Sequence, residues 1–195
     1  MILGVIPARL NSTRFPSKVI FPLKGKPIIE HVYEKALQSN LLNKVIVAVD
    51  SEETKNVINC QNIIMTSDKH QSGTDRVAEV ANNFNCDIVV NIQGDEPGID
   101  PLLIDQLIQL FEDPDVKMAS IASTDLKEDD LNNDNVVKVN LDKENNAISF
   151  IRNNLNPEST YYRHIGIYAY RKNTLNLFTS LTQSDNEKNH RLEQL

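Results

Sequence analysis

Basic side chains cluster in one short segment near the start of the chain. Arg9, Arg14 and Lys18 follow an apolar run at residues 1 to 6. No aspartate or glutamate precedes Glu30, although the whole chain carries a net charge of -7. Arginine presents a fork of N–H donors and lysine a compact positive charge, and both groups bind phosphate oxygens. The segment therefore predicts a site for a small polyanion such as a nucleoside triphosphate.

An acidic turn supplies a second candidate group. Gly94-Asp95-Glu96 follows residues 87 to 93, the clearest candidate for a central strand. Magnesium prefers one or two protein carboxylates together with phosphate oxygens of a substrate. Asp95 is therefore the candidate metal ligand, although the spacing alone leaves open an acidic turn that binds nothing.

A third candidate segment, Ser72-Gly73-Thr74-Asp75-Arg76, precedes a helical pattern. Serine at this position is either an N-terminal helix cap or a ligand for a base or a sugar hydroxyl, and the spacing favours neither. His70 and His164 lie near the candidate loops, but no histidine spacing indicates a zinc site.

Several classes of protein are disfavoured. The sequence contains neither G-x-G-x-x-G nor G-x-x-x-x-G-K-[ST], the phosphate motifs of dinucleotide dehydrogenases and P-loop kinases. The acidic net charge disfavours nucleic-acid binding, and no apolar run approaches the roughly 18 residues of a membrane span. Cys60 and Cys86 have no metal or redox spacing, which favours a reducing compartment. We therefore expect a cytoplasmic protein that binds small anions.

Strand-like and helix-like patterns alternate through residues 1 to 122. Strands are expected at residues 1 to 6, 44 to 49, 63 to 65, 87 to 93 and 118 to 122, and helices at residues 28 to 37, from 51, at 74 to 84 and at 102 to 111. This alternation predicts a Rossmann-like α/β fold, a mostly parallel sheet with helices on both faces. Ligands bind beyond the carboxyl ends of such strands, so the basic segment, Asp50 and the Asp95 turn should share one edge.

The pattern changes in the second half of the chain. Residues 136 to 141 and 147 to 152 flank a polar turn, and residues 163 to 170 alternate between apolar and polar. A single domain over residues 1 to 195 is predicted, with a nucleotide-binding core at about residues 1 to 125 and a small antiparallel hairpin lobe at about residues 126 to 172.

Five segments together support a family resemblance. They are I-P-A-R-L-N-S-T-R-F-P-S-K at 6 to 18, G-K-P-I-I at 25 to 29, H-Q-S-G-T-D-R at 70 to 76, N-I-Q-G-D-E-P at 91 to 97 and R-H-I-G-I-Y-A-Y at 163 to 170. In this order they resemble the 3-deoxy-manno-octulosonate (Kdo) cytidylyltransferases, or CMP-Kdo synthetases. The resemblance implies formation of CMP-Kdo and pyrophosphate from CTP and Kdo, for lipopolysaccharide biosynthesis, by a Mg²⁺-dependent homodimer.

The resemblance also implies individual roles. It makes Arg9, Lys18 and Asp95 catalytic. The nucleotide-binding residues that it implies are Ala8, Arg9, Ser12, Arg14, Lys18, Ser72 and Arg76. The sugar-binding residues that it implies are Gln93, Arg152, His164, Tyr168, Glu193 and Gln194. Arg152 or a neighbouring cation is expected to face the Kdo carboxylate.

Alternatives remain at this point. The family pattern continues beyond the segment that matches Glu193-Gln194-Leu195 and includes a second metal-binding aspartate there. A synthetase for 8-amino-Kdo or another nonulosonic acid is one alternative. An inactive, truncated nucleotide-binding module is another.

Overall fold

The structure is a computed structural model that describes residues 1–10, 17–187 and 192 in full and the backbone of residues 188–190. The strands in this part of the chain are β1 (Ile2–Ala8), β2 (Pro22–Leu23), β3 (Lys26–Pro27), β4 (Lys44–Val49), β5 (Ile63–Met65), β6 (Ile88–Asn91), β7 (Met118–Ser123), β8 (Lys138–Leu141), β9 (Ala147–Ile151) and β10 (Tyr161–Arg171). The helices are α1 (Ile28–Ala36), α2 (Glu52–Val57), α3 (Gly73–Asn82), α4 (Pro101–Gln109), α5 (Glu128–Leu131), α6 (Lys172–Ser180) and α7 (Asp185–His190).

Four parallel strands form the centre of the larger sheet, in the order β5-β4-β1-β6. In chain order, β4 lies beside β1 and β5 lies beside β4, whereas β6 pairs with the other side of β1. The strand order therefore reverses beside β1. β10 pairs antiparallel with β6 through residues 168 to 171. The predicted Rossmann-like α/β fold with a mostly parallel sheet is confirmed.

Both faces of the parallel strands β4, β1 and β6 are buried, as crossover helices require. Leu3 and Val5 of β1 belong to a core cluster that residues of α3 and α6 complete. Ile6 points to the opposite face and is also fully buried, and α1 and α4 pack against β1 and β6 respectively. The continuous apolar runs seen in the sequence are thus explained by burial on two sides.

The chain divides into two compact units, residues 1–119 with 167–180 and residues 120–166 with 181–195. In the second unit β8 and β9 form the predicted antiparallel hairpin, and β8 also pairs with residues 161 to 163 of β10. The Asp142 carboxylate accepts the N–H groups of Glu144 and Asn146 at 2.9 and 2.8 Å, which closes the polar turn. No helix in the described residues combines the length and hydropathy needed to span a membrane.

A buried carboxylate joins α4 to the turn that leads from α1 into β4. Asp105 is 7% exposed. It accepts hydrogen bonds from the Ser39 hydroxyl and from the backbone N–H groups of Asn40 and Leu41, the latter two at 3.1 and 3.2 Å. Burial raises the pKa of Asp105, but these hydrogen bonds together outweigh burial, so the pKa lies below its usual value.

We expect Asp105→Ala to lower the free energy of unfolding by about 2 to 4 kcal/mol, because N–H groups around the turn lose their acceptor. Urea unfolding measures this loss, with Gln106→Ala on the exposed side of α4 as the control. Since the native pKa is depressed, the stabilisation is present above the unfolded-state pKa and is lost as the pH falls through the native pKa. Equal midpoints for the two variants would contradict the assignment.

Candidate active site

The carboxyl ends of β1 and β6 meet where the strand order reverses. β1 ends at Ala8, which is fully buried, and Arg9 follows it. β6 ends at Asn91, and the N–H of Ile92 still donates to the carbonyl of Val5 at 2.9 Å. Ligands of doubly wound sheets bind beyond strand ends at such a reversal. A ligand site is therefore expected at the segments that follow β1 and β6.

A lysine and an aspartate face each other at this edge. Lys18 Nζ donates to Asp95 Oδ2 at 2.7 Å, and the two side chains are 42% and 38% exposed. The predicted phosphate-binding lysine and the predicted metal-binding carboxylate are thus in direct contact. Both remain accessible to a ligand, although their roles stay predictions.

The position of the Asp95 turn depends on the glycine before it. A Cβ atom at Gly94 would lie 2.9 Å from the carbonyl oxygen of Pro7 and 3.5 Å from side-chain atoms of Ile6 and Val19. Only a hydrogen atom fits there, since real Cβ atoms do not approach backbone oxygens so closely. This contact brings the turn after β6 against the end of β1.

Arg9 is held by the loop before α3. Its Nη1 donates to the carbonyl of Gln71 at 2.9 Å, and its Nη2 approaches the carbonyl of His70 at 3.4 Å. The guanidinium carries five N–H groups, so two carbonyl contacts do not exhaust its donors. Arg9 is thus positioned by backbone atoms of a different segment.

Asp50 links three segments, a role that the sequence did not reveal. Its Oδ1 accepts the N–H of Leu10 at 3.2 Å, and its Oδ2 accepts from Nη2 of Arg76 at 3.2 Å. Arg76 has no exposed surface and also donates to Thr66 Oγ1 at 2.8 Å. Burial lowers the pKa of Arg76, while Asp50 acts in the opposite direction. Position after a buried strand was the only sequence signal for Asp50.

Arg76 therefore has internal partners at both Nη atoms, while its buried Nε has no hydrogen-bond partner among the described residues. Ser72 caps α3, because its Oγ accepts the N–H of Asp75 at 3.0 Å while the Asp75 carboxylate accepts the N–H of Ser72 at 3.1 Å. The capping interpretation of Ser72 is confirmed. Its predicted contact with a nucleotide, like that of Arg76, stays a prediction.

Two predicted sugar-binding residues lie in the first unit. Tyr168 is opposite Asn91 in the pairing of β10 with β6, and its ring stacks on Tyr170 at a centroid distance of 6.2 Å. Gln93 is half-buried, and its carbonyl accepts the N–H of Glu96 at 3.3 Å. Both residues are therefore fixed close to the end of β6.

Two others lie in the second unit. His164 Nε2 is 2.8 Å from Ser120 Oγ, and its ring meets that of Phe150 edge-on at a centroid distance of 5.0 Å. Burial lowers the pKa of His164 to about 4, so the imidazole is neutral at pH 7. Arg152 Nη1 donates to the carbonyl of Asp134 at 2.9 Å.

The main chain at Arg152 is also fixed by a hydrogen bond from a buried lysine. Lys138 has no exposed surface, and its Nζ donates to the carbonyls of Arg152 and Asn133. Burial lowers the pKa of this lysine. Sequence reasoning missed Lys138 because it lies within a strand pattern that predicts only a hairpin.

Four residues with predicted roles lie outside the described residues: Ser12, Arg14, Glu193 and Gln194. Within the described part, no group of three or more histidine, cysteine, aspartate or glutamate side chains could hold a metal ion. Asp95 offers one accessible carboxylate. That donor set fits Mg²⁺ held jointly by the protein and phosphate oxygens of a ligand.

Comparisons with known proteins agree over almost the whole chain. The model of a family described as Cytidylyltransferase matches residues 3–195. The 3-deoxy-manno-octulosonate cytidylyltransferase of Pelobacter propionicus is 39% identical over 213 residues, covering 100% of this chain and 84% of that protein. The corresponding protein of Thermodesulfovibrio yellowstonii is 41% identical over 212 residues, covering 98% and 83%.

One solved structure is similar over the same extent. It is described as CMP:2-keto-3-deoxy-manno-octonic acid synthetase complexed with CTP. The match has a TM-score of 0.90 and 36% sequence identity, and it covers 99% of this chain and 83% of that one.

The contact at Gly94 gives a prediction that needs no ligand. We expect Gly94→Ala to lower the free energy of unfolding by about 1 to 3 kcal/mol, because the new methyl group must push the turn away from Pro7. Thermal or urea unfolding measures the effect. Gly98→Ala is the matched control, since a Cβ atom there meets nothing within 4 Å. If both alanines cost the same, the close approach is not what fixes the turn.

Proposed function

Because the chain belongs to the cytidylyltransferase family, we propose that it transfers a cytidylyl group from CTP to Kdo. The products are CMP-Kdo and pyrophosphate, and CMP-Kdo is the activated sugar for lipopolysaccharide biosynthesis. The observation that carries this proposal is the similarity, over 99% of this chain, to a CMP-Kdo synthetase solved with CTP. The charges that the reaction needs are offered by Arg9, which follows β1, and by the contacting pair Lys18 and Asp95.

The reaction is a displacement at the α-phosphorus of CTP. The anomeric 2-hydroxyl oxygen of Kdo forms a bond to that phosphorus, and the bond from phosphorus to the oxygen bridging to the β-phosphate breaks. Pyrophosphate leaves with the electron pair, and the hydroxyl proton passes to solvent. No covalent intermediate with the protein is needed, so positioning and charge stabilisation supply most of the catalysis.

The basic side chains act on the triphosphate. Lys18 supplies a point charge to its oxygens, and Arg9 supplies forked N–H donors from a guanidinium already oriented by two carbonyl groups. Negative charge increases on the pyrophosphate as the bond breaks. Preformed donors that stay in place during this change lower the barrier.

Asp95 is proposed to hold Mg²⁺ together with the phosphate oxygens. The ion, when bound, supplies positive charge that neutralises the reacting phosphates. Support comes from the accessible carboxylate of Asp95 beside Lys18. Ser12, Arg14, Ala8, Ser72 and Arg76 complete the proposed nucleotide site.

Kdo binding is proposed for Gln93, Arg152, His164, Tyr168, Glu193 and Gln194. Arg152 or a neighbouring cation faces the sugar carboxylate, and the neutral imidazole of His164 serves as a hydrogen-bonding partner rather than a charge. A homodimer in the cytoplasm is part of the same proposal.

Incubation with CTP, Mg²⁺ and Kdo should release pyrophosphate and form CMP-Kdo in equal amounts. A coupled phosphate assay and mass spectrometry of the nucleotide sugar measure the two products. The acceptor panel includes 8-amino-Kdo and N-acetylneuraminate. Faster turnover with one of these sugars reassigns the acceptor. Tight Mg-CTP binding without turnover on any of them identifies a nucleotide-binding module instead.

We expect Asp95→Asn to reduce turnover by about 100-fold or more with a smaller loss of CTP affinity, because a bound metal acts mainly on charge that develops during the reaction. Steady-state kinetics and calorimetry measure the two effects separately. Asp115→Asn, which alters an exposed carboxylate of the same unit, is the control. Turnover like that of the unmodified chain would eliminate the metal assignment.

A further inference from the structure

One carboxylate of α3 holds the loop between β5 and α3 at two points. Glu79 Oε2 accepts the backbone N–H of Ser67 at 3.0 Å, and the same oxygen bonds Nε2 of His70. The side chains of His70 and Glu79 are 23% and 37% exposed, so the contact is partly shielded from water. Neither residue has a part in the function derived so far.

The ends of this loop are anchored independently. Thr66 donates both its N–H and its hydroxyl to the carbonyl of Val49 at 2.9 Å. At the other end, Ser72 and Asp75 exchange the hydrogen bonds of the helix cap. The stretch between them, residues 67 to 71, is held to α3 by Glu79.

The carbonyl groups that orient Arg9 belong to this stretch. His70 and Gln71 accept the two contacts from the Arg9 guanidinium. His70 therefore joins the two interactions, with its imidazole on Glu79 and its carbonyl on Arg9. A displacement of residues 67 to 71 moves both acceptors of Arg9.

The negative charge of Glu79 suits it to hold residues 67 to 71. Burial raises its pKa, but the hydrogen bonds from His70 and Ser67 and the charges of His70 and Arg76 outweigh burial, so the pKa lies below its usual value. The carboxylate is then an acceptor only, and it can receive a backbone N–H and an imidazole N–H at one oxygen.

We propose that Glu79 is a positioning residue for the nucleotide site: by fixing residues 67 to 71, it holds the two carbonyl groups that orient Arg9 toward the triphosphate of CTP. This inference rests on the proposed function. A guanidinium that is already oriented loses less conformational freedom when it binds phosphate, so pre-organisation raises affinity without any contact between Glu79 and the ligand.

The test compares Glu79→Ala, Glu79→Gln and a matched control by calorimetry with Mg-CTP. Glu30 of α1 provides the control, because its Oε1 accepts the N–H of Asn59 at 2.8 Å and so fastens a different loop of the same unit. We expect Glu79→Ala to weaken CTP binding about tenfold, while Glu30→Ala leaves it unchanged. Glu79→Gln should stay within about threefold, because its amide oxygen still accepts both donors.

A double-mutant cycle with Arg9→Ala separates positioning from general destabilisation. If Glu79 acts through Arg9, Glu79→Ala causes little further loss of CTP affinity once Arg9 is alanine. The KM for Kdo should not change in Glu79→Ala, since the triphosphate is the affected group. Should Glu79→Ala fail to fold, His70→Ala removes only the imidazole contact, and we expect a loss of about threefold.

The inference is overturned if Glu79→Ala binds CTP as well as Glu30→Ala does. The inference is also overturned if the double variant loses CTP affinity by the product of the factors measured for Glu79→Ala and Arg9→Ala alone. These outcomes depend on CTP binding alone and are separate from the proposed activity. An unmodified chain that binds CTP but transfers nothing to Kdo contradicts the proposed function and leaves the binding test decisive for Glu79.

Discussion

A guanidinium group without exposed surface must be neutralised inside the protein, and Asp50 does this for Arg76. Removing an ion from water costs several kcal/mol unless it is paired and hydrogen-bonded, so this contact tolerates little displacement. Because the second oxygen of Asp50 accepts the N–H of Leu10, the same carboxylate fixes the chain where it leaves β1. The end of β1, the end of β4 and the first turns of α3 are thereby held at one edge of the sheet.

Arg9 and the Asp95 turn depend on this arrangement. Arg9 precedes the residue that Asp50 holds, and its guanidinium reaches the loop that leads into α3. The turn after β6 meets β1 through the contact of Gly94 with Pro7. The reversal of strand order thus leaves the ends of β1 and β6 accessible. The ion pair of Asp50 with Arg76 and the close contact of Gly94 with Pro7 determine which side chains lie there.

Local sequence patterns predicted the elements well. The strands at residues 44 to 49 and 63 to 65 have the expected bounds, because each apolar run ends where polar residues begin. Lys18 and Asp95 were expected at one edge from the rule on strand ends, and they are in contact. These predictions succeed because they depend only on local pattern and on the handedness of crossover connections.

Partners from distant segments could not be predicted in this way. Arg76 lies in the first turn of a helix, where an arginine is usually solvated, and its burial follows only once Asp50 and Thr66 are brought beside it. The helical sequence patterns likewise predict no special role for Glu79 and Asp105, although each side chain holds a loop through hydrogen bonds. The family resemblance named candidate sugar-binding residues, but the pattern did not show that Tyr168 and His164 lie in different compact units.

The contact between Lys18 and Asp95 makes the affinities for an anion and a cation interdependent. While the two side chains are bonded, each offsets the charge that the other could offer to a ligand. An anion that binds Lys18 releases the carboxylate, and a cation that binds Asp95 releases the ammonium group. By thermodynamic linkage, each ion raises the affinity for the other by the same factor. A metal complex of a triphosphate, which brings both charges at once, therefore matches this edge better than either ion alone.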